Sequence, residues 1–144
     1  MVQRIDWYGN RVFTLATEAN ISAMNKAALL VESDVKQNFT LQGRGRVYGR
    51  RKHRASLPGQ PPAIDTGTLR ASIMSEVERT GLNVIGKVGP DVEKIAAKAP
   101  IGTNINYGFY LELGTSKMQP RPFLRPALIR TRKKVVKIFK EANS

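Results

Sequence analysis

The residues best suited to chemistry lie between Asp34 and Asp65, a stretch without any acidic residue. Arginine and lysine side chains neutralise phosphates or carboxylates, and a tyrosine can stack on a nucleic-acid base. The tract therefore predicts contact either with DNA or with an acidic face of a neighbouring protein subunit, and charge alone does not separate the two. The candidate contact residues are Arg44, Arg46, Tyr48, Arg50, Arg51, Lys52 and Arg54.

Residues that support catalysis are scarce. Catalysis at neutral pH commonly needs a histidine, a tuned pair of carboxylates, a thiol or a metal. The single histidine, His53, lies among cations that disfavour its protonated form. The neighbouring acids Glu76 and Glu78, and Asp91 and Glu93, are interpreted as solvated surface. Cysteine is absent, and no residues have the types and spacing of metal ligands. We expect no enzymatic activity, no catalytic residue, no cofactor and no metal.

The overall charge supports an anionic partner. A net charge of +13 and an isoelectric point near 10.5 exceed what solubility requires. The 144 residues, 41% of them hydrophobic, suit one modest core, so residues 1–144 are predicted to form a single domain. No apolar run approaches the roughly 20 residues that span a bilayer, and the amino terminus does not resemble a signal peptide. We therefore expect neither secretion nor a membrane partner.

The basic tract belongs to a longer segment, residues 40–64, with a composition unlike the rest of the chain. It contains glycines at positions 43, 45, 49 and 59 and prolines at 58, 61 and 62, with few large apolar side chains. Such a composition cannot fill a core and is typical of mobile functional loops. We predict a flexible basic arm at about residues 40–64.

Two helices are predicted to flank the chain. Apolar residues recur three or four positions apart from about Asn10 to Phe39, which predicts a long N-terminal helix, although Asn20 could cap a later start. The same spacing predicts a C-terminal helix that starts near Pro126. Residues 121–125 are interpreted as a rigid turn before it, because Pro126 cannot donate an interior helical hydrogen bond.

Strand patterns fall between these helices. Alternation at residues 73–77 and a β-rich run at 83–89 predict an antiparallel hairpin. Short helices are predicted after Asp65, within residues 91–98 and within residues 107–113, with a third strand at 103–106. The chain is therefore predicted to be α+β, with long N-terminal and C-terminal helices packed on a small, mainly antiparallel sheet and a long basic loop.

The segment before the last helix is a second candidate site. Gly114 fits a helix C-cap, and the prolines at 120, 122 and 126 stiffen the return of the chain. Phe123 and Leu124 can then fill the core, the favoured interpretation, or insert into a neighbouring subunit. The candidate assembly or core-pinning residues are Gly114, Thr115, Met118, Arg121, Pro122, Phe123 and Leu124.

Three ordered strings carry a resemblance to a known family. They read PGQPPAIDTGTLRASI at residues 58–73, YGFYLELGTSKM at 107–118 and PRPFLRPAL at 120–128. Together they resemble the phage head-tail joining proteins typified by gene product ten of HK-ninety-seven-type phages, which are neck or tail-completion proteins. The resemblance covers about residues 55–130, and the arginine-dense stretch at 44–54 departs from it.

The resemblance implies a non-enzymatic structural virion protein, an α+β subunit that forms a homo-oligomeric ring, a hexamer or dodecamer. Its implied partners are a head-side connector, a tail-side terminator or both. Whether the arginine-dense stretch faces the phage DNA that passes through the neck or a protein stays open. Its implied location is the virion neck, with the host cytoplasm as the place of assembly. The alternative is a free-standing basic nucleic-acid-binding protein, which the charge favours but for which no groove-reading motif is present.

Overall fold

The structure is a computed structural model that describes residues 5–7, 18–50, 52–81, 83–98 and 107–144. The elements in these ranges are β1 (Ile5–Trp7), α1 (Glu18–Gln37), β2 (Val47–Tyr48), β3 (His53–Arg54), α2 (Thr68–Ser72), β4 (Ile73–Thr80), β5 (Asn83–Pro90), α3 (Val92–Lys98), α4 (Tyr107–Leu113) and α5 (Leu124–Ala142). The predicted α+β class is confirmed. The predicted strand at 103–106, the predicted helix residues before Glu18 and the candidate contact Arg51 lie outside the described residues.

The main sheet has the strand order β1-β5-β4 and is antiparallel throughout. Strands β4 and β5 pair from Ile73 opposite Pro90 to Thr80 opposite Asn83, which confirms the predicted hairpin. Strand β1 was not predicted, and it pairs with the other edge of β5, with Ile5 opposite Val88. The sheet therefore joins the beginning of the chain to its middle.

Helix α1 packs on the sheet, and α5 packs on α1. Asn143 Nδ2 donates to Asn20 Oδ1 over 3.0 Å at one end of the helix pair, and Arg130 binds the Asp34 carboxylate over 2.6 Å towards the other, so the helices run antiparallel. Gly86 of β5 allows α1 to lie close to the sheet, since a Cβ built on Gly86 would lie 2.7 Å from Met24 Sδ. The buried apolar residues of α1 and α5 are Ala23, Met24, Ala27, Ala28, Val31, Val35, Leu124, Ala127, Val135 and Phe139.

Helix α5 begins at Leu124, two residues before the start predicted from Pro126. Pro126 is therefore the third helical residue. The first four amides of a helix have no intrahelical acceptor, so a proline there forfeits no hydrogen bond. The predicted rigid turn is accordingly shorter and ends at Phe123.

The Glu78 carboxylate, which the sequence pattern indicates to be solvated surface, forms an ion pair within the sheet. The Lys87 ammonium, on a residue only 2% exposed, binds the Glu78 carboxylate across the β4–β5 hairpin. Glu76 on the same strand is exposed, as expected. Within the described ranges, no helix is long and apolar enough to cross a bilayer.

Candidate partner-binding cleft

The predicted arm contains a β-hairpin. Strands β2 and β3 pair antiparallel, and the pairing continues where Gly45 N donates to Ala55 O over 2.7 Å and Ala55 N donates to Arg46 O over 3.0 Å. Gly43 must be glycine here, because a Cβ built on it would lie 1.9 Å from Arg54 O. We call residues 43–55 the basic hairpin. Its backbone is paired rather than irregular, and the flexibility expected of it stays a prediction.

The base of the segment is also tied to itself. Thr40 forms a parallel bridge with Ala63, in which Thr40 N donates to Pro62 O and Ile64 N donates to Thr40 O over 3.0 and 2.9 Å. The Thr40 hydroxyl donates to Pro61 O over 2.7 Å. The two ends of residues 40–64 are thus held side by side, and the hairpin projects from a closed base.

Two cations of the basic hairpin, Arg46 and Arg54, contact groups of the hairpin itself. The Arg46 guanidinium lies over the Tyr48 ring, 5.5 Å from its centroid, and Arg54 Nη1 donates to Gly45 O over 3.3 Å. Among the described residues, no acidic side chain forms an ion pair with Arg44, Arg46, Arg50, Lys52 or Arg54. These charges therefore remain for an external anion.

Residues 107–125, here called the return segment, comprise α4, the turn that follows it and the first residues of α5. They reverse the direction of the chain. Gly114 ends α4 in a left-handed conformation, with φ of 77° and its N–H donating to Tyr110 O over 2.7 Å. Thr115 N then donates to Met118 O over 2.8 Å. A Cβ on Gly114 would lie 2.9 Å from Met118 O and Pro120 N. The turn is therefore tight as well as left-handed.

Glu112 fixes the start of α5. Its buried carboxylate accepts hydrogen bonds from the backbone N–H groups of Phe123, Leu124 and Arg125 over 2.7, 3.0 and 2.9 Å. Such amides at a helix start lack intrahelical acceptors, and the helix dipole favours a negative charge beside them. The sequence interpretation missed Glu112. The available signal was one acid on a short apolar helix shortly before a proline-flanked helix start.

Phe123 and Leu124 are buried in the core. The Phe123 ring packs against Phe39 with centroids 5.5 Å apart, which anchors the return segment to the end of α1. Pro122 beside them is half-buried. Within the described residues, these side chains serve the fold of the chain itself.

Arg121 joins the return segment to the base of the basic hairpin. Its N–H donates to Leu111 O over 2.6 Å, and its Nε donates to Ser56 O over 3.1 Å. Next to it, Gly59 N donates to Pro120 O over 2.9 Å. The side chain is nearly buried, with Arg121 9% exposed. The return segment thus contacts the chain directly after the basic hairpin, at Ser56 and Gly59.

A cleft of about 960 Å³ lies between the return segment and the basic hairpin. The basic hairpin lines it with residues that include Arg46, Tyr48 and Arg50. The return segment lines it with Tyr107, Leu111, Lys117, Met118, Gln119 and Arg121. The remaining predicted site residues within the described ranges, Arg44, Lys52, Arg54, Gly114, Thr115, Pro122, Phe123 and Leu124, do not line it. Lys117 was not predicted as a site residue.

The floor of the cleft is apolar and aromatic. Ile95 is fully buried there, beside Leu111 and Tyr107. Burial, and then the negative charge of Asp65, raise the pKa of Tyr107 to about 12, so its phenol is neutral at physiological pH. His53 Nδ1 lies 3.8 Å from the Asp65 carboxylate at the rim. The cleft can therefore bind an apolar group together with an anion.

Within the described ranges no group of three or more histidine or acidic side chains is arranged to hold a metal ion. Comparison with protein-family models, curated proteins and solved structures finds no match to this chain.

Proposed function

We propose that the chain is a structural virion protein of a tailed phage or prophage, a ring-forming neck subunit that joins the head connector to the tail. In this proposal it is not an enzyme, it assembles in the host cytoplasm, and it resides in the virion neck. The observation that carries the proposal is that the three strings on which the family resemblance rests contact one another directly.

The contacts between the strings involve all three. Gly59 of the first string donates its N–H to Pro120 O of the third over 2.9 Å. Glu112 of the second caps the helix start in the third. A Cβ on Gly108 of the second would lie 3.1 Å from Leu69 of the first. Residues separated by up to 61 positions, from Gly59 to Pro120, thus form one unit, which supports interpreting the strings together rather than as unrelated turns.

The distribution of charge supports a role in assembly. Three acids of α1 and the sheet contact cations of the same chain: Glu32 contacts Lys36 over 2.6 Å, Asp34 contacts Arg130 over 2.6 Å, and Glu78 contacts Lys87. The cations of the basic hairpin have no such partners within the described residues. A subunit with unpaired cations on its basic hairpin is suited to acidic surfaces of a connector or terminator, or to the DNA inside the neck.

A second candidate function is a free-standing nucleic-acid-binding protein. The observation that favours it is the outer face of α5, along which Arg132, Lys133 and Lys140 are exposed. Such a row of cations can bind phosphates of any sequence.

Light scattering of the purified chain across a range of salt concentrations tests the proposal. A hexamer or dodecamer, alone or after addition of a connector protein, with rings visible by electron microscopy, is the expected result. A strict monomer that never assembles and that binds duplex DNA with a steep salt dependence would support the second candidate instead.

A further inference from the structure

We propose that the cleft between the basic hairpin and the return segment binds an extended segment of a partner protein, in which carboxylates flank one or two apolar side chains. The inference deepens the proposed function, because it gives the chemistry by which a neck partner would be recognised. It rests on that function only for the identity of the partner.

The shape and floor of the cleft suit an apolar side chain. Its volume of about 960 Å³ lies within the range of concave binding sites, about 300–1,000 Å³. Leu111 and Met118 of the return segment are partly exposed and contribute apolar surface, and the fully buried Ile95 lies beside them. A ligand that placed only phosphates or carboxylates against these side chains would desolvate its charges without compensation. An apolar side chain is the group that gains from this floor.

The rim suits carboxylates. Exposed Arg46 and Arg50 lie on one side and exposed Lys117 on the other, and among the described residues Asp65 is the only acidic one that lines the cleft. Arg121 lies deeper, and its Nε donor is occupied by Ser56 O. The rest of its guanidinium has no hydrogen-bond acceptor among the described residues, and a planar guanidinium matches a carboxylate well.

Ser56 gives a second, independent indication of a ligand. The residue is fully buried, lines the cleft, and its hydroxyl has no hydrogen-bond partner within the described residues. A buried hydroxyl without a partner is destabilising, so native proteins usually satisfy it. A backbone N–H or carbonyl of a bound extended segment would do so after a small local opening, because the hydroxyl itself has almost no solvent-accessible surface.

Nucleic acid fits the cleft less well. A duplex presents its phosphates on a convex surface, whereas this site is concave with an apolar floor. A single strand would use Tyr48 for stacking, but the Arg46 guanidinium already lies over that ring at 5.5 Å.

A second copy of the chain is also a poor occupant. Its net charge is +13, and its carboxylates at Glu32, Asp34, Glu78 and Glu112 are engaged within the fold. A partner of different sequence and acidic character fits the charge of the cleft better.

Panning a library of random twelve-residue peptides on the purified full chain tests the inference. Enriched peptides should combine aspartate or glutamate with leucine, phenylalanine or another large apolar residue. The double variant Arg46→Gln/Lys117→Gln should bind an enriched peptide about tenfold more weakly, because it removes two rim cations. The double variant Arg132→Gln/Lys133→Gln removes the same charge from exposed positions of α5, and it should leave the affinity unchanged.

Ser56→Ala separates binding from folding. Because alanine removes a buried hydroxyl without a partner, this variant should be at least as stable as the wild type. It should nevertheless bind the peptide about fivefold more weakly, because the bound segment loses one hydrogen bond.

Several results would overturn the inference. They are a folded chain that enriches no peptide, enriched peptides without acids, equal weakening by the two double variants, and displacement of the peptide by a twelve-nucleotide single strand whose own binding requires Arg46 and Lys117. Peptide binding is measured whatever the oligomeric state of the chain. Failure of the inference is therefore distinguishable from failure to form rings.

Discussion

The basic hairpin and the return segment face each other across one cleft, yet they use charged residues in opposite ways. The return segment buries Glu112 and Arg121, which are 8% and 9% exposed, and both bind backbone groups of the same chain. The basic hairpin exposes Arg44, Arg46 and Arg50. Charge that is buried and hydrogen-bonded maintains the fold, whereas charge that is exposed and unpaired is available for a partner.

The backbone explains the difference. In the return segment a helix ends and another begins, which leaves carbonyls and amides that need partners outside the helices. The Glu112 carboxylate supplies acceptors for the amides at the start of α5, the Arg121 backbone N–H donates to Leu111 O of α4, and the Arg121 guanidinium donates to Ser56 O. In the basic hairpin the backbones of the two strands satisfy one another, as Gly45 and Ala55 do over 2.7 Å, so the hairpin needs no buried charge to pair its backbone groups. Changes in the return segment should therefore affect stability, and changes in the basic hairpin should affect binding.

Replacement of Glu112 should give the largest effect. Glu112→Ala leaves three backbone amides at the start of α5 without their acceptor, and it should lower the free energy of unfolding by about 4 kcal/mol. Urea denaturation followed by circular dichroism measures this. Glu141→Ala, which removes an exposed carboxylate 3.8 Å from Lys137, is the control and should change stability by less than about 0.5 kcal/mol. Equal effects of the two variants would contradict the role of Glu112.

A glycine in each region sharpens the comparison. Gly114 and Gly49 have similar φ angles of 77° and 68°, but only at Gly114 would a Cβ meet backbone atoms within 3 Å. Gly49→Ala should therefore lower stability by about 1 kcal/mol, from the left-handed conformation alone. Gly114→Ala should lower it by about 3 kcal/mol, because the clash adds to that strain. The same urea denaturation measures both variants. A larger loss of stability in Gly49→Ala than in Gly114→Ala would contradict the view that the return segment maintains the fold and the basic hairpin serves binding.

Shortening the basic hairpin tests its independence from the core. Replacing residues 47–54 by Asn-Gly connects Arg46 to Ala55, which are already hydrogen-bonded, through a turn suited to paired strands. Stability should change by about 1 kcal/mol, since the deleted side chains are mostly exposed. In a complementation assay with the intact virus, joining of heads to tails should be impaired. Loss of the cooperative unfolding transition would show that the hairpin belongs to the core.

Local patterns were sufficient to predict much of the fold. The β4–β5 hairpin followed from alternation around Gly81, and the end of α4 followed from a glycine after apolar residues at helical spacing. These signals lie within a few residues of the structure they specify. The strand pair β2–β3 was missed, because glycines and arginines give it the composition of an irregular loop.

Features that depend on distant residues were not predictable in the same way. Strand β1 pairs with β5 some 80 positions away, and its three residues carry no periodic signal. Lys87 is only 2% exposed although its side chain lies on the sheet face opposite to that of Gly86, which approaches Met24 of α1, and no local pattern indicates this burial. The cleft itself depends on Arg121 meeting Ser56, a contact between segments 65 positions apart. The candidate residues were identified from charge and glycine or proline content, but their meeting point required the structure.

The smallest expected effect concerns Glu32 in α1, a carboxylate partly buried between helix and sheet. Burial alone would raise its pKa, but hydrogen bonds from Lys36 and Ser75 outweigh burial and hold the pKa below its ordinary value of 4.5. A carboxylate with a lowered pKa in the folded state stabilises the protein above its ordinary pKa, and this contribution is lost as the pH falls through the lowered value.

Glu32→Gln should therefore be less stable than the wild type by about 0.5 kcal/mol at pH 7, a modest value because solvent screens the site. The difference should disappear well below pH 4.5, as shown by urea denaturation from pH 7 to pH 3. Arg46→Gln in the basic hairpin should show no such convergence, since its charge does not titrate in that range. A difference for Glu32→Gln that grew as the pH fell would contradict the sign of this contribution.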